Sequence, residues 1–398
     1  MTAAASRFQR YLLPGLAFKS AVIGGGYATG RELAEFFLPS GPWGGLAAMV
    51  LSMLIWSVIC ILTFLLARAI RANDYRTFFR HLLGRGWWTF EVAYLALIVV
   101  VLAVFGAAAG ELAATMFGWP RIVGTLLLVA IITGVVQAGT NAVERMFKLM
   151  SAFMYLVYAI AACLILYRFG GGAMAQLSNT HELGKDWVLN GVTYAGYNMF
   201  AAVSILLVVR HLLCRRDAVI AGALAGPLAI LPAIVFYVCM IAFLPDIADA
   251  PLPSDLMLGQ LGLPWFQLLF RLMIMVALVE TGVTLMASVD GRISVNWKER
   301  TGAAPSRGMR VAIIAAVLLM AVFLADGIGL VALIAKGYRL LAYAILATYV
   351  VPLLAYSAWQ IWTRRGQAFT APAGEVPDPR AALADAIGAH PPQAKTRN

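Results

Sequence analysis

The chain has 398 residues, of which 62% are apolar and 12% charged, with a mean hydropathy of +0.84. A water-soluble domain carries about 25% charged and about half apolar residues, so too few polar side chains are present to cover a water-facing surface, and a soluble protein is excluded. The formal charge of +11, from 30 Lys and Arg against 19 Asp and Glu, has to be tested against membrane topology before it is read as a sign of nucleic-acid binding.

In chain order, apolar segments bounded by Gly, Pro or charge run over 11–38, 41–70, 89–116, 120–140, 146–168, 186–210, 218–244, 264–288, 308–325 and 338–362. At about 20 residues per crossing of a hydrocarbon core about 30 Å thick, they predict an all-α membrane protein with about ten transmembrane helices. Of the 30 basic residues, 22 fall in the N-terminus, the loops after even-numbered helices and the C-terminal region, while three (Arg121, Arg168, Lys185) fall in the other loops. Cytoplasmic loops hold the basic excess. Both termini are therefore expected in the cytoplasm, the protein in the bacterial inner (plasma) membrane, and the charge is accounted for without nucleic acid. Residues 1–10 form a cytoplasmic N-terminus with no cleaved signal peptide expected. The Ala- and Pro-rich residues 363–398 form an expected disordered cytoplasmic tail.

Smaller elements fit this order. Residues 72–87, with Tyr75, Phe78, Phe79, Leu82 and Leu83 among arginines, suit an amphipathic helix on the cytoplasmic surface. Leu252-Pro253-Ser254-Asp255 opens a short outer helix ending near Pro264, and 327–337 is too short to cross and is expected to dip into the outer leaflet. The four cysteines have no metal-type spacing and read as packing residues.

The chain divides into two similar halves, 11–168 and 186–362, joined by an outer loop at 169–185. Helix one carries Tyr27-Ala28-Thr29-Gly30 after Gly24-Gly25-Gly26, and helix six carries Tyr194-Ala195-Gly196-Tyr197-Asn198 after Gly191. Both helices are expected to be discontinuous. Five helices per half is an odd number, so the second half is inverted relative to the first. Interrupted helices at matching places in inverted halves point to a solute-binding site, whereas one glycine alone would read as close helix packing.

Unwound backbone inside a bilayer needs partners for its N–H and C=O groups. The half-helix beginning near Thr29 would attract a carboxylate, and carbonyls at a half-helix end near Gly191 would suit an ammonium group, with Tyr27, Thr29, Tyr194, Tyr197 and Asn198 shaping the pocket. Thr29 and Glu32 have capping-box spacing. The other reading of Glu32 is a partner for a substrate amine or a carrier of a coupling proton, because an acid at mid-bilayer costs about 2.5–3.5 kcal/mol. Arg31 and Glu35, four apart, can pair. On helix eight the hydroxyls of Thr281, Thr284 and Ser288 share one face and with broken-helix carbonyls could ligate sodium, or they bond their own i−4 carbonyls. Glu280 is a second proton-carrier candidate, or an ion-pair partner of Lys19 or Lys336. Gly106 and Gly110 read as a packing seam. No nucleotide loop or hydrolase motif is present, and no cofactor is expected beyond Na+ or H+.

Gly30, Glu32, Phe36 and Phe37 after the glycine break, Tyr197-Asn198 followed by Arg210-His211-Leu212, Glu280-Thr281-Gly282-Val283 and Ala335-Lys336-Gly337-Tyr338 carry a resemblance. The chain resembles the LeuT-fold transporters of the amino acid–polyamine–organocation superfamily, and more narrowly the amino-acid permeases labelled YkvI-type membrane proteins. The resemblance implies two inverted five-helix repeats with helices one and six broken. It also implies sodium at Gly24 or nearby carbonyls, Thr281 and Thr284, or a proton-coupled variant with a lysine ammonium there, for which Lys19 and Lys336 are the candidates. Members of that family carry glutamine beside the helix-one glutamate. Arg31 stands there in this chain, which would tilt the site toward an anionic substrate and adds Arg31 to the expected substrate-binding set with Gly24, Gly25 and Gly26. The expected function is a secondary active transporter for an amino acid or related small carboxylate, with a bundle of helices one, two, six and seven rocking against the rest. A ligand sensor of the same fold, or a proton-coupled carrier of a non-amino-acid organic anion, is the alternative; an enzyme is not expected. The partners are the lipid bilayer and a small-molecule substrate, and the sequence leaves the oligomeric state open.

Overall fold

The computed structural model describes residues 6–364 apart from 73, 139, 181, 205, 207–210 and 304. Among the described residues the secondary structure is helical throughout, without a strand. A π turn at Phe8–Leu12 leads into α1 (Leu13–Val22), α2 (Gly25–Thr29) and α3 (Arg31–Phe37), which together fill the first predicted segment. Then follow α4 (Gly41–Ala69), the surface helix α5 (Tyr75–Leu83), α6 (Trp87–Phe117), α7 (Arg121–Ala138) and α8 (Thr140–Asn179). The second half holds α9 (Trp187–Asn198), α10 (Phe200–Ser204), α11 (Arg215–Ile241), the short α12 (Pro253–Gly259), α13 (Pro264–Thr301) and α14 (Arg307–Ile328). A last stretch comprises α15 (Leu330–Ala332), α16 (Arg339–Ile345) and α17 (Val351–Arg364), joined by π turns. Seven stretches among the described residues are long and apolar enough to cross a bilayer. The shorter pieces stand where crossings one, four and six are expected.

Local chemistry sets the boundaries. Proline occupies the first turn of α1, α4 and α12, where its missing N–H leaves no bond unmade. Asp74 caps α5, its Oδ1 accepting from the Thr77 N–H at 2.9 Å. α11 contains Pro227, which cannot donate to the Ala223 carbonyl; the Ser57 hydroxyl of α4 donates to it instead, at 3.0 Å. α4 and α11 can approach closely because Gly222 and Gly226 face Ile61 and Met53, with no room for a Cβ at either. Such small-residue contacts replace the hydrophobic driving force that helices lack in lipid. Gly106 and Gly110 of α6 form the same kind of seam against Thr125 and Arg121 of α7.

Three expectations are corrected. α8 runs to Asn179, so most of the predicted loop 169–185 is helix, and α13 runs to Thr301 rather than 288. Lys, Arg and Glu end an apolar segment but are good helix formers, so charge marks the edge of the bilayer and not of the helix. Residues 327–337 are not a separate short element: from Leu330 they form the first turns of the helix that continues to Arg364, broken from α14 at Gly329 with φ +81. The tail from 365 onward, Arg210, and the side chains of Arg145 and Lys148 lie outside the described residues.

The two ends of the molecule are pinned differently. At the end carrying α5, the Arg10 guanidinium donates to both Asp217 oxygens at 2.9 and 2.7 Å, tying the start of helix one to the start of α11. At the opposite end Arg271 donates to both oxygens of Asp255 at 2.6 and 2.8 Å, fixing α12 on α13.

Candidate functional site

Helix one is interrupted twice. Gly24 is extended between α1 and α2, and Gly30 has φ +75 between α2 and α3. A Cβ on Gly24 would stand 2.8 Å from Thr281 Oγ1, and one on Gly25 would stand 2.9 Å from the Leu278 Cα, so only glycine lets α2 lie this close to α13. The Thr281 hydroxyl accepts from the Gly25 N–H at 3.1 Å and donates to the Ala277 carbonyl at 3.0 Å. Thr284 donates to the Glu280 carbonyl at 2.9 Å. Both hydroxyls thus make the i−4 bonds that were the alternative to ion ligation.

The capping box does not form. Gly30, in its left-handed conformation, precedes α3, and the Thr29 hydroxyl donates back to the Gly26 carbonyl at 2.7 Å while accepting from the Arg31 N–H at 3.2 Å. Glu32 turns the other way. Its Oε1 overlies Gly26, leaving no room there for a Cβ, and its Oε2 accepts from the Tyr197 hydroxyl of α9. Tyr197 is held by Phe36 and Tyr338, with ring centroids 5.6 and 4.7 Å away.

Helix six breaks at Met199, between α9 and α10, and not at Gly191. Gly191 is a packing glycine against Ala48, and its carbonyl accepts from Ser52 at 2.8 Å; it offers nothing to a ligand. At the actual break the Asn198 amide donates to the Tyr194 carbonyl at 3.1 Å.

A cavity of about 1100 Å³ joins these pieces. Its blind end is formed by Gly24, Gly26, Glu32, Tyr197, Asn198 and Tyr338. Tyr155, Glu280, Thr281, Thr284 and Ser288 line its middle, and Tyr75, Arg76, Arg80 and Arg292 its mouth at the α5 end. Arg292 is clamped there between the rings of Tyr75 and Tyr94, at 3.8 and 4.0 Å, and donates to Glu91 at 2.8 Å.

The α12 end is closed. Arg31 Nη1 donates to the carbonyls of Ala248 and Ala250 at 2.6 and 3.1 Å, and Nη2 donates to Glu35 at 2.9 Å. Arg339 stands 3.8 Å from the other Glu35 oxygen and 3.4 Å from the Asn190 side-chain oxygen. The Ser254 hydroxyl of α12 donates to the Thr29 carbonyl at 2.9 Å.

Of the predicted site residues, Gly24, Gly26, Glu32, Tyr197, Asn198, Glu280, Thr281 and Thr284 line the cavity. Arg31 does not: it faces the α12 end, in the pairing with Glu35 that its spacing allowed. Tyr27 packs on Tyr158 and Phe236, and Tyr194 on Phe36, Phe37 and Trp56. Gly25 and Thr29 stay in the backbone of the break. Lys19 sets its ammonium 4.1 Å from the Tyr155 ring centroid, and Lys336 is exposed. Sequence reasoning missed Tyr155, which carries no local pattern, and Arg292, which is one of the 22 basic residues counted above only for orientation.

No family model matches the chain. The membrane protein YkvI of Bacillus subtilis (strain 168) is 24% identical over 212 residues, which cover 52% of this chain and 60% of YkvI, so the match spans less than two thirds of that relative. Among solved structures, MhsT in complex with L-phenylalanine is similar at TM-score 0.60 and 16% identity, covering 97% of this chain and 99% of that one. A Na+-coupled sialic acid symporter in a substrate-bound outward-open state has TM-score 0.60 at 10% identity, covering 92% and 88%. The inward-facing conformation of Mhp1 has TM-score 0.55 at 16% identity, covering 84% and 76%. At these identities the likeness carries the fold alone. The chain is a multi-pass membrane protein of the LeuT fold, related in sequence to YkvI.

Proposed function

We propose that this chain is a secondary active transporter that moves an amino acid or related small organic solute across the membrane by alternating access, driven by a sodium or proton gradient. The observation that carries the reading is one-sided access to a blind site: the cavity reaches the helix-one break from the α5 end, while Arg31, Glu35, Arg339 and Ser254 close the α12 end. With the basic loops in the cytoplasm, this is the inward-open state, and the opposite state requires the Arg31 contacts to part. The likeness to a Na+-coupled symporter supports gradient coupling. Gly24, Glu280, Thr281 and Thr284 are the residues proposed to bind or respond to the coupling ion. The test is uptake of radiolabelled amino acids into proteoliposomes under sodium or pH gradients. Saturable, gradient-dependent accumulation is expected. Binding without accumulation would leave the sensor alternative standing, and non-saturating flux would indicate a channel.

A further inference from the structure

The broken helix creates the demand for a negative charge that the sequence suggests, but the chain meets that demand itself. Glu32 lies on the site wall at 5% exposure, its carboxylate against the bare backbone of Gly26. Any residue larger than glycine at 26 would displace it. Among the described residues the Tyr197 hydroxyl is the donor it has, whereas an ionised carboxylate offers about four acceptor positions. The neighbouring cations of helix one are engaged elsewhere, Arg31 on Glu35 and loop carbonyls and Lys19 on the Tyr155 ring. A buried charge without a counter-charge is costly unless something supplies one, and Glu32 opens onto the cavity.

The surroundings fit one kind of partner. Asn198 gives one of its two amide N–H groups to the Tyr194 carbonyl, and its side-chain oxygen is an acceptor. Phe105, Tyr197, Phe200 and Tyr338 also line the cavity, and an aromatic ring attracts a cation placed over its face. A ligand carboxylate placed here would meet a like charge instead. We propose that the solute is recognised through a protonated amine, with Glu32 as its counter-ion and Asn198 as a second acceptor, and that a carboxylate on the solute is not required. This rests on the transporter reading above and narrows its solute to amine-bearing compounds.

The test uses the full chain in detergent and thermal unfolding, since a ligand of the folded state raises the unfolding temperature by mass action. The probes are two matched sets: L-leucine, isoamylamine and 4-methylpentanoate; and L-phenylalanine, phenethylamine and 3-phenylpropionate. Within each set the amino acid, the amine without the carboxylate and the acid without the amine share one skeleton. Amine-bearing members of at least one set are expected to stabilise the protein and the acids to have no effect. Glu32→Gln is expected to weaken amine binding by more than about tenfold, and Glu32→Asp, which keeps the charge, to retain part of it. Unliganded unfolding temperatures and gel-filtration profiles of both variants separate lost binding from lost fold. Stabilisation by the deaminated acids, unchanged amine binding in Glu32→Gln, or the lack of any amine-dependent shift would overturn the inference. The transporter reading is decided separately, by gradient-driven uptake, and survives if an acid proves to be the solute.

Discussion

Gly26 separates the backbone of the helix-one break from the Glu32 carboxylate by the space of one missing Cβ. Gly26→Ala therefore shifts that carboxylate, the far end of a flexible side chain, at little cost to the fold. The expected result is a denaturation midpoint in detergent close to the parent's, with weakened amine-dependent stabilisation. Thr281 makes a separable contribution, because its hydroxyl joins α13 to the Gly25 N–H. Thr281→Val leaves that amide without its partner and is expected to cost about 1–2 kcal/mol. Thr281→Ser keeps the hydroxyl, so the gap between the two midpoints measures the bond; equal midpoints would show that the bond contributes nothing.

At the level of elements, the ten apolar segments were legible because a bilayer imposes about 20 apolar residues per crossing, and α5 was legible because its Phe78 and Phe79 face inward among arginines. The helix-one break was legible from three consecutive glycines. The helix-six break was misplaced: Gly191 and the Met199 junction look alike to composition, and only the contact with Ala48 shows that the glycine serves packing. Glu32 followed the same pattern. Its capping-box spacing presumes that α3 starts at Thr29, and the left-handed Gly30 moves the start by one residue and frees the carboxylate to turn inward. The Arg31–Glu35 pair was readable from i,i+4 spacing, but the loop carbonyls of Ala248 and Ala250 reach Arg31 from 217 and 219 residues away, a distance no local pattern spans. Because that contact links α3 to the loop after α11, Arg31→Ala is expected to loosen the closed end. A cysteine at Asn198, in a background where the exposed Cys163 and half-buried Cys214 are replaced while Cys60 and Cys239 stay buried, should then become reactive to an impermeant thiol reagent from the α12 side in oriented vesicles. Unchanged reactivity would place the barrier elsewhere.

For the molecule as a whole, the proposed function depends on access to the cavity from one end only. A cysteine replacing Ser288, which lines the cavity, is expected to be modified by an impermeant maleimide from the α5 side and protected from the other. Labelling from both sides would contradict a sealed site. The way the seal is made has a further consequence for how the sequence can vary. Arg31 grips the loop after α11 by two main-chain oxygens, and every residue type provides a main-chain oxygen. The side chains at 248 and 250 are thus free to drift without touching the latch, whereas the guanidinium has no substitute that reaches two carbonyls and a carboxylate together. In a saturation mutagenesis scan read out by solute uptake, positions 248 and 250 should accept most replacements other than proline, while position 31 should reject even lysine.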